Sequence, residues 1–161
     1  LTPETPLERL QDVAIAVTMR DSLWLYPLVE TAHILGFIVL VGAVAMFDLR
    51  VLGLSKRIPV RLLAAHLLPW SLAALIVIVP AGFLMFLADA AAMVSNRAFV
   101  LKMILLCLAA GNATAFHLGP FRSATDWDTN VPSPVSARMH AVASLLLWAG
   151  IVACGRAIAY V

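Results

Sequence analysis

Four long apolar blocks separated by short polar stretches set the pattern of the chain, at about residues 24–47, 62–87, 99–118 and 140–160. Each is long enough to cross a hydrocarbon core, which takes about 20 residues of helix. Lipid offers no hydrogen-bond partner to an unpaired backbone group, so a helix is the form that such blocks adopt. The fold class that follows is all-α: a four-transmembrane-helix bundle over residues 24–161, with no length left for a second domain. Residues 1–23 read differently. Leu7, Leu10, Ala14 and Val17 recur at helical spacing while Glu8, Gln11 and Asp12 fall off that stripe, which predicts a short amphipathic helix lying at the membrane interface. Residues 1–20 lack the basic start and apolar run of a signal peptide, and a chain that begins at Leu1 rather than Met leaves room for residues upstream.

Local signals mark the ends of the crossings. Trp24 and Tyr26 open the first with rings suited to the headgroup level, and Pro27 sits where a helix start tolerates a missing N–H. Pro69 and Pro80 fall inside the second and predict bends, because each removes a backbone hydrogen bond. "HLGPF" stops the third, and the fourth follows "TNVPSPVSAR".

Composition agrees with the pattern. The chain of 161 residues is 63% hydrophobic and 12% charged, against roughly 45–50% and about 25% in soluble domains. Its formal charge of +2 is scattered over helix ends, which excludes nucleic acid as a partner, since phosphate backbones call for a basic patch. Cys107 and Cys154 lie in apolar blocks without CxxC or metal-ligand spacing and read as small buried hydrophobes. Charge does set an orientation. Arg50, Lys56, Arg57 and Arg61 crowd the first loop, whereas residues 1–30 carry Glu4, Glu8, Asp12, Asp21 and Glu30 against Arg9 and Arg20. A short basic loop stays in the cytoplasm. The expectation is a multi-pass protein of the bacterial inner membrane with both termini periplasmic.

The histidines are the candidate chemistry, one per crossing: His33, His66, His117 and His140. Ionisable side chains inside membrane segments are costly and mark functional sites. At about 1.5 Å of rise per residue, His66, His117 and His140 all fall near the basic end, since each lies within five residues of Arg61, Arg122 or Arg138. His33 stands deeper and roughly 15 Å away in height. Facing imidazoles at one depth suit a b-type haem, so a single haem between His66 and either His117 or His140 is one reading, with "CLAAGNATAFH" supplying small residues for the cavity. Packing accounts for the same small residues and hydrogen bonding for the same imidazoles. Three imidazoles also suit zinc or copper, although no spacing singles out a metal. Glu30 and His33, at i and i+3, share a helix surface and can relay protons or contact a quinone. Trp70 and Trp148 lie more interior than belt residues and suit either a flat cofactor or ordinary packing.

Nucleotide and zinc-protease motifs are missing, and Asp126 and Asp128 in the 119–138 connector read as a solvated link. The crossings show no inverted repeat of the transporter kind. No motif commits the chain to an enzymatic reaction.

The stretches "WLYPLVETAHILG", "FDLRVLG", "LLPW", "NRAFVLKMILL" and "LLLWAGIVACGRAIAY" resemble a family of small uncharacterised bacterial four-helix integral membrane proteins, over most of residues 24–160. That resemblance implies the four-helix fold. It also implies that His33 and the pair Phe116–His117 are more typical of the family than His66 or His140. The functional expectation is an integral membrane subunit of an electron-transfer assembly that binds one haem b or contacts quinone. The alternative is a cofactor-free structural or accessory subunit. Either sits in a lipid bilayer and associates with other membrane subunits or with itself.

Overall fold

In the computed structural model, which describes residues 6–160, the described residues are mostly helical and include no strand. Two short helices, α1 (Pro6–Gln11) and α2 (Ala14–Asp21), precede the first crossing, α3 (Leu25–Leu52). The second crossing is α4 (Val60–Ala88), followed by the short α5 (Ala90–Ser95) and the third crossing, α6 (Arg97–Leu118). A 3-10 helix (Pro120–Trp127) leads to the fourth crossing, α7 (Val135–Ala157). All four long helices are apolar enough to span a membrane.

The terminators are visible in the backbone. Ser22 accepts at its Oγ from the Leu25 N–H at 3.1 Å and starts α3. Gly53, at φ +113°, ends it, with the Gly53 and Leu54 N–H groups returning to the carbonyls of Arg50 and Leu49. A side chain at that φ is strained, so glycine fixes the stop. The first crossing therefore continues past Asp48 for one more turn, carrying both Asp48 and Arg50 inside the helix. Asn96 caps α6 through the Phe99 N–H, and its amide also donates to the Ile158 carbonyl beyond α7. The fourth helix starts at Val135, directly after Pro134, because a proline suits a helix start whatever the polarity of the turn that follows.

Packing runs in the order α4, α3, α7, α6, each helix touching the next. Gly36 lets α3 and α4 approach, since a Cβ there would lie 2.9 Å from Ile78 Cγ1. The α4 and α6 backbones do not touch. Their side chains meet at the end away from the basic loop, where Phe86 and Phe99 stack with centroids 5.8 Å apart. At the basic end the 3-10 helix fills the space, and Val51, Val60, Phe116, Ala124, Trp127, Ala137 and Ala141 form the buried core there.

The amino-terminal segment differs from a single interfacial helix. It breaks after Gln11, and α2 buries Ala16 and Met19 against α4 and α3, while Ala14 stays exposed. The reason is partnership: a helix docked on a bundle is turned by the residues it packs, not by its average stripe. Residues 1–5, including Glu4, and the Glu8 side chain lie outside the described residues.

Candidate functional site

His33 sits half-buried on α3, and its Nδ1 lies 3.0 Å from the Ile78 carbonyl of α4. A carbonyl only accepts, so Nδ1 carries a proton, and in the neutral imidazole Nε2 is then the acceptor. Opposite the ring stands Gly82, where a Cβ would lie 3.0 Å from His33 Cε1. The glycine makes the space that the imidazole occupies. Glu30 is exposed one turn outward and makes no hydrogen bond or ion pair with His33 among the described residues.

The three histidines expected near the basic end divide. His140 Nδ1 lies 2.8 Å from Asn112 Oδ1, and Asn112 Nδ2 donates back to the His140 carbonyl at 3.1 Å. This reciprocal pair ties α6 to α7 and fixes both the amide and the imidazole tautomer. His117, exposed, turns its Nδ1 to the Ala113 carbonyl of its own helix at 2.8 Å. Both imidazoles meet the Phe116 ring edge-on, at 5.5 and 6.1 Å between centroids. Phe121 and Phe47 complete the aromatic cluster on that ring. His66 stands apart. It is exposed on α4, a helix whose backbone touches neither α6 nor α7, and it has no hydrogen bond or ring contact among the described residues. Matching height along the membrane does not bring His66 to the other two. No group of three His, Cys, Asp or Glu side chains stands at metal-binding spacing among the described residues.

Two charged groups whose burial is hidden in the sequence lie at the end of α3. Arg50 is 2% exposed. Its Nε donates to the Ile58 carbonyl at 2.6 Å, and its Nη2 donates to the carbonyls of Lys56 and Asp128 at 3.1 and 2.9 Å. One guanidinium thereby joins the α3–α4 loop to the connector after the 3-10 helix. Asp128 has a role beyond a solvated link: its Oδ1 accepts from the Arg61 N–H at 2.8 Å and its carbonyl from Val60. Asp48, 6% exposed, faces the Ser144 hydroxyl of α7, and its Oδ2 has no partner. Charge within the last turn of a crossing, just before a glycine stop, is the one signal in the sequence that points to this place.

Trp148 packs edge-on against Phe37 at 5.9 Å, while Trp70 is exposed. Lys102 is half-buried on α6 with its amine beside Gly155 of α7, and Arg156 lies over the Tyr160 ring and donates to its hydroxyl. Cys154 is buried and Cys107 exposed, and both are free thiols.

No curated protein and no solved structure matches the chain. Residues 25–161, which take in all four crossings and every histidine, match the model of DUF6644, a family of unknown function, and the chain belongs to that family.

Proposed function

We propose that the chain is an integral membrane subunit of an electron-transfer assembly and that His33 contacts a quinone headgroup. The supporting observation is the imidazole itself. It is half-buried in a membrane crossing and held by Ile78, with Nε2 free of any partner among the described residues. A neutral Nε2 accepts a hydrogen bond from a quinol hydroxyl and takes one of the two protons that the quinol releases when it is oxidised. Glu30, one turn outward, is the next acceptor on the way to the surface. The other proton and both electrons pass to a redox cofactor in a partner subunit of the assembly, which is the oxidant. The proposed setting is a bacterial inner membrane with both termini periplasmic, a reading supported by the basic 53–59 loop, which favours the cytoplasmic side.

The test is binding of decylubiquinol, the reduced form that carries the donor hydroxyls, to the purified chain in detergent under reducing conditions, followed by tryptophan fluorescence. Saturable binding is expected, weakened about tenfold or more in His33→Phe, which keeps the ring and loses the acceptor. Gly82→Val is expected to weaken it similarly by pushing the ring off Ile78. Equal binding by His33→Phe and the native chain would overturn the quinone contact.

A haem b at the inner end would draw its nitrogens from His117 and His140, the two that share Phe116; His66 has no route to them. An absorbance spectrum with pyridine extraction tests that version, and a folded preparation without a Soret band sinks it. A second reading, a cofactor-free structural or accessory subunit, is favoured by a separate observation. Asn112, His140, Asn96 and Arg50 each spend at least one hydrogen bond on joining one segment of the chain to another.

A further inference from the structure

Between the end of α3 and the start of α7 lies a cavity of about 70 Å³, whose polar lining residues are Arg50, Lys56, Ser133 and Arg138. Its other lining residues carry no charge, and no acidic residue is among them. Arg50 and Ser133 are 2% and 8% exposed, and each keeps one buried polar atom, Nη1 and Oγ, without a hydrogen-bond partner. Buried donors left unpaired are costly and rare. Lys56 and Arg138 are exposed and stand at the rim. Lys56 lies across Gly53, where a Cβ would be 3.2 Å from its Cε, so the glycine that ends α3 also seats this side chain.

The neighbouring charges do not fill the site. Asp128 turns its carboxylate to the Arg61 N–H, and Asp48 faces Ser144. The carbonyls of Leu49 and Arg50 are occupied by the N–H groups of Leu54 and Gly53. Residues 131–133 of the wall lead into α7, whose start has no side-chain cap, and open N–H groups at a helix start favour an anion. A volume of this size is several times the roughly 10–15 Å³ that one water needs. It suits a single tetrahedral head rather than a ring.

We infer that this cavity binds a phosphate group, with Arg50 Nη1 and Ser133 Oγ donating from the floor and Lys56 and Arg138 closing on it from the rim. Guanidinium and ammonium donors in this arrangement are the usual partners of phosphate oxygens. The phosphate is either that of a phospholipid head at the basic face or a free ion, and the same donors serve both.

The test uses the full chain purified in detergent. One arm titrates inorganic phosphate by calorimetry at constant ionic strength. The other counts bound dioctanoyl phosphatidylglycerol by native mass spectrometry, with dioctanoylglycerol, which lacks the phosphate, as its control. Saturable binding is expected in at least one arm: phosphate in the first marks a free-ion site, and binding confined to the lipid marks a headgroup site. Lys56→Gln and Arg138→Gln are each expected to weaken it about tenfold, and Arg138→Lys by less. Both positions are exposed and their side chains make no hydrogen bond among the described residues, so melting of these variants should match the native chain. Failure of both probes to bind saturably overturns the site. So does lipid binding matched by dioctanoylglycerol, or undiminished binding in a doubly substituted, folded chain.

Discussion

Arg50→Met lowers the stability of the chain by about 3 kcal/mol or more, the expected cost of three hydrogen bonds from one charged group. All three acceptors are backbone carbonyls, of Lys56, Ile58 and Asp128. They differ in what is left behind. Asp128 still accepts from Val60, and Lys56 still accepts from Asn130, whereas Ile58 loses its partner. Methionine fills much of the space, so the deficit reports the polar contacts more than a void. In a chain of this length the melting temperature in detergent should fall by roughly 5 °C or more, and the 53–59 loop should become the first site cut by a protease. Arg50→Lys recovers only part of the loss, because an ammonium cannot reproduce the fork that reaches two segments at once. Unchanged melting of Arg50→Met would mean that the loop and the connector hold their places without the guanidinium.

The crossings were legible because an uninterrupted apolar run inside lipid has one solution, a helix. Height was legible for the same reason: a fixed rise per residue converts a sequence interval into depth. His117 and His140 do meet one ring, at the end where counting puts them. Lateral order was not legible. A membrane helix is apolar toward its neighbours and toward lipid alike, so its hydrophobic pattern carries little information about which face points inward. Counting residues puts His66 level with the other two and is silent about the α3–α7 contact that separates them.

Arg50 was hidden for a different reason. Its partners are main-chain carbonyls of two loops, and carbonyls have no residue code. A charged residue near the end of a crossing reads as an interface marker, and only the position of Gly53, three residues on, shows that the helix has not yet ended. The loop that looks solvated, with Asp126 and Asp128, turns out to be half structure: Asp128 starts α4 and receives Arg50, while Asp126 stays exposed.

Phe116→Ala is the second large effect, and it separates the readings of the inner histidines. The ring is buried, and it touches Phe47, Phe121, His117 and His140 with centroids between 5.5 and 6.1 Å away. Truncating a buried phenylalanine costs roughly 3–5 kcal/mol when the surroundings do not collapse. The loss should fall near the lower end of that range, because His117 is exposed and can swing toward the gap. The space opened is lined mainly by aromatic faces, so benzene should bind there and restore part of the melting temperature, as apolar cavities accept apolar guests. Native-like melting of Phe116→Ala would show that the aromatic cluster does not hold the basic end together. In a cofactor-free subunit the stability deficit is the whole effect. With a haem on His117 and His140, the same substitution must also shift or broaden the Soret band, because Phe116 lies against both ligands. Stability and spectrum therefore report on different things from one variant: the first on the packing of α3, α6 and α7, the second on whether the two imidazoles that share this ring hold iron.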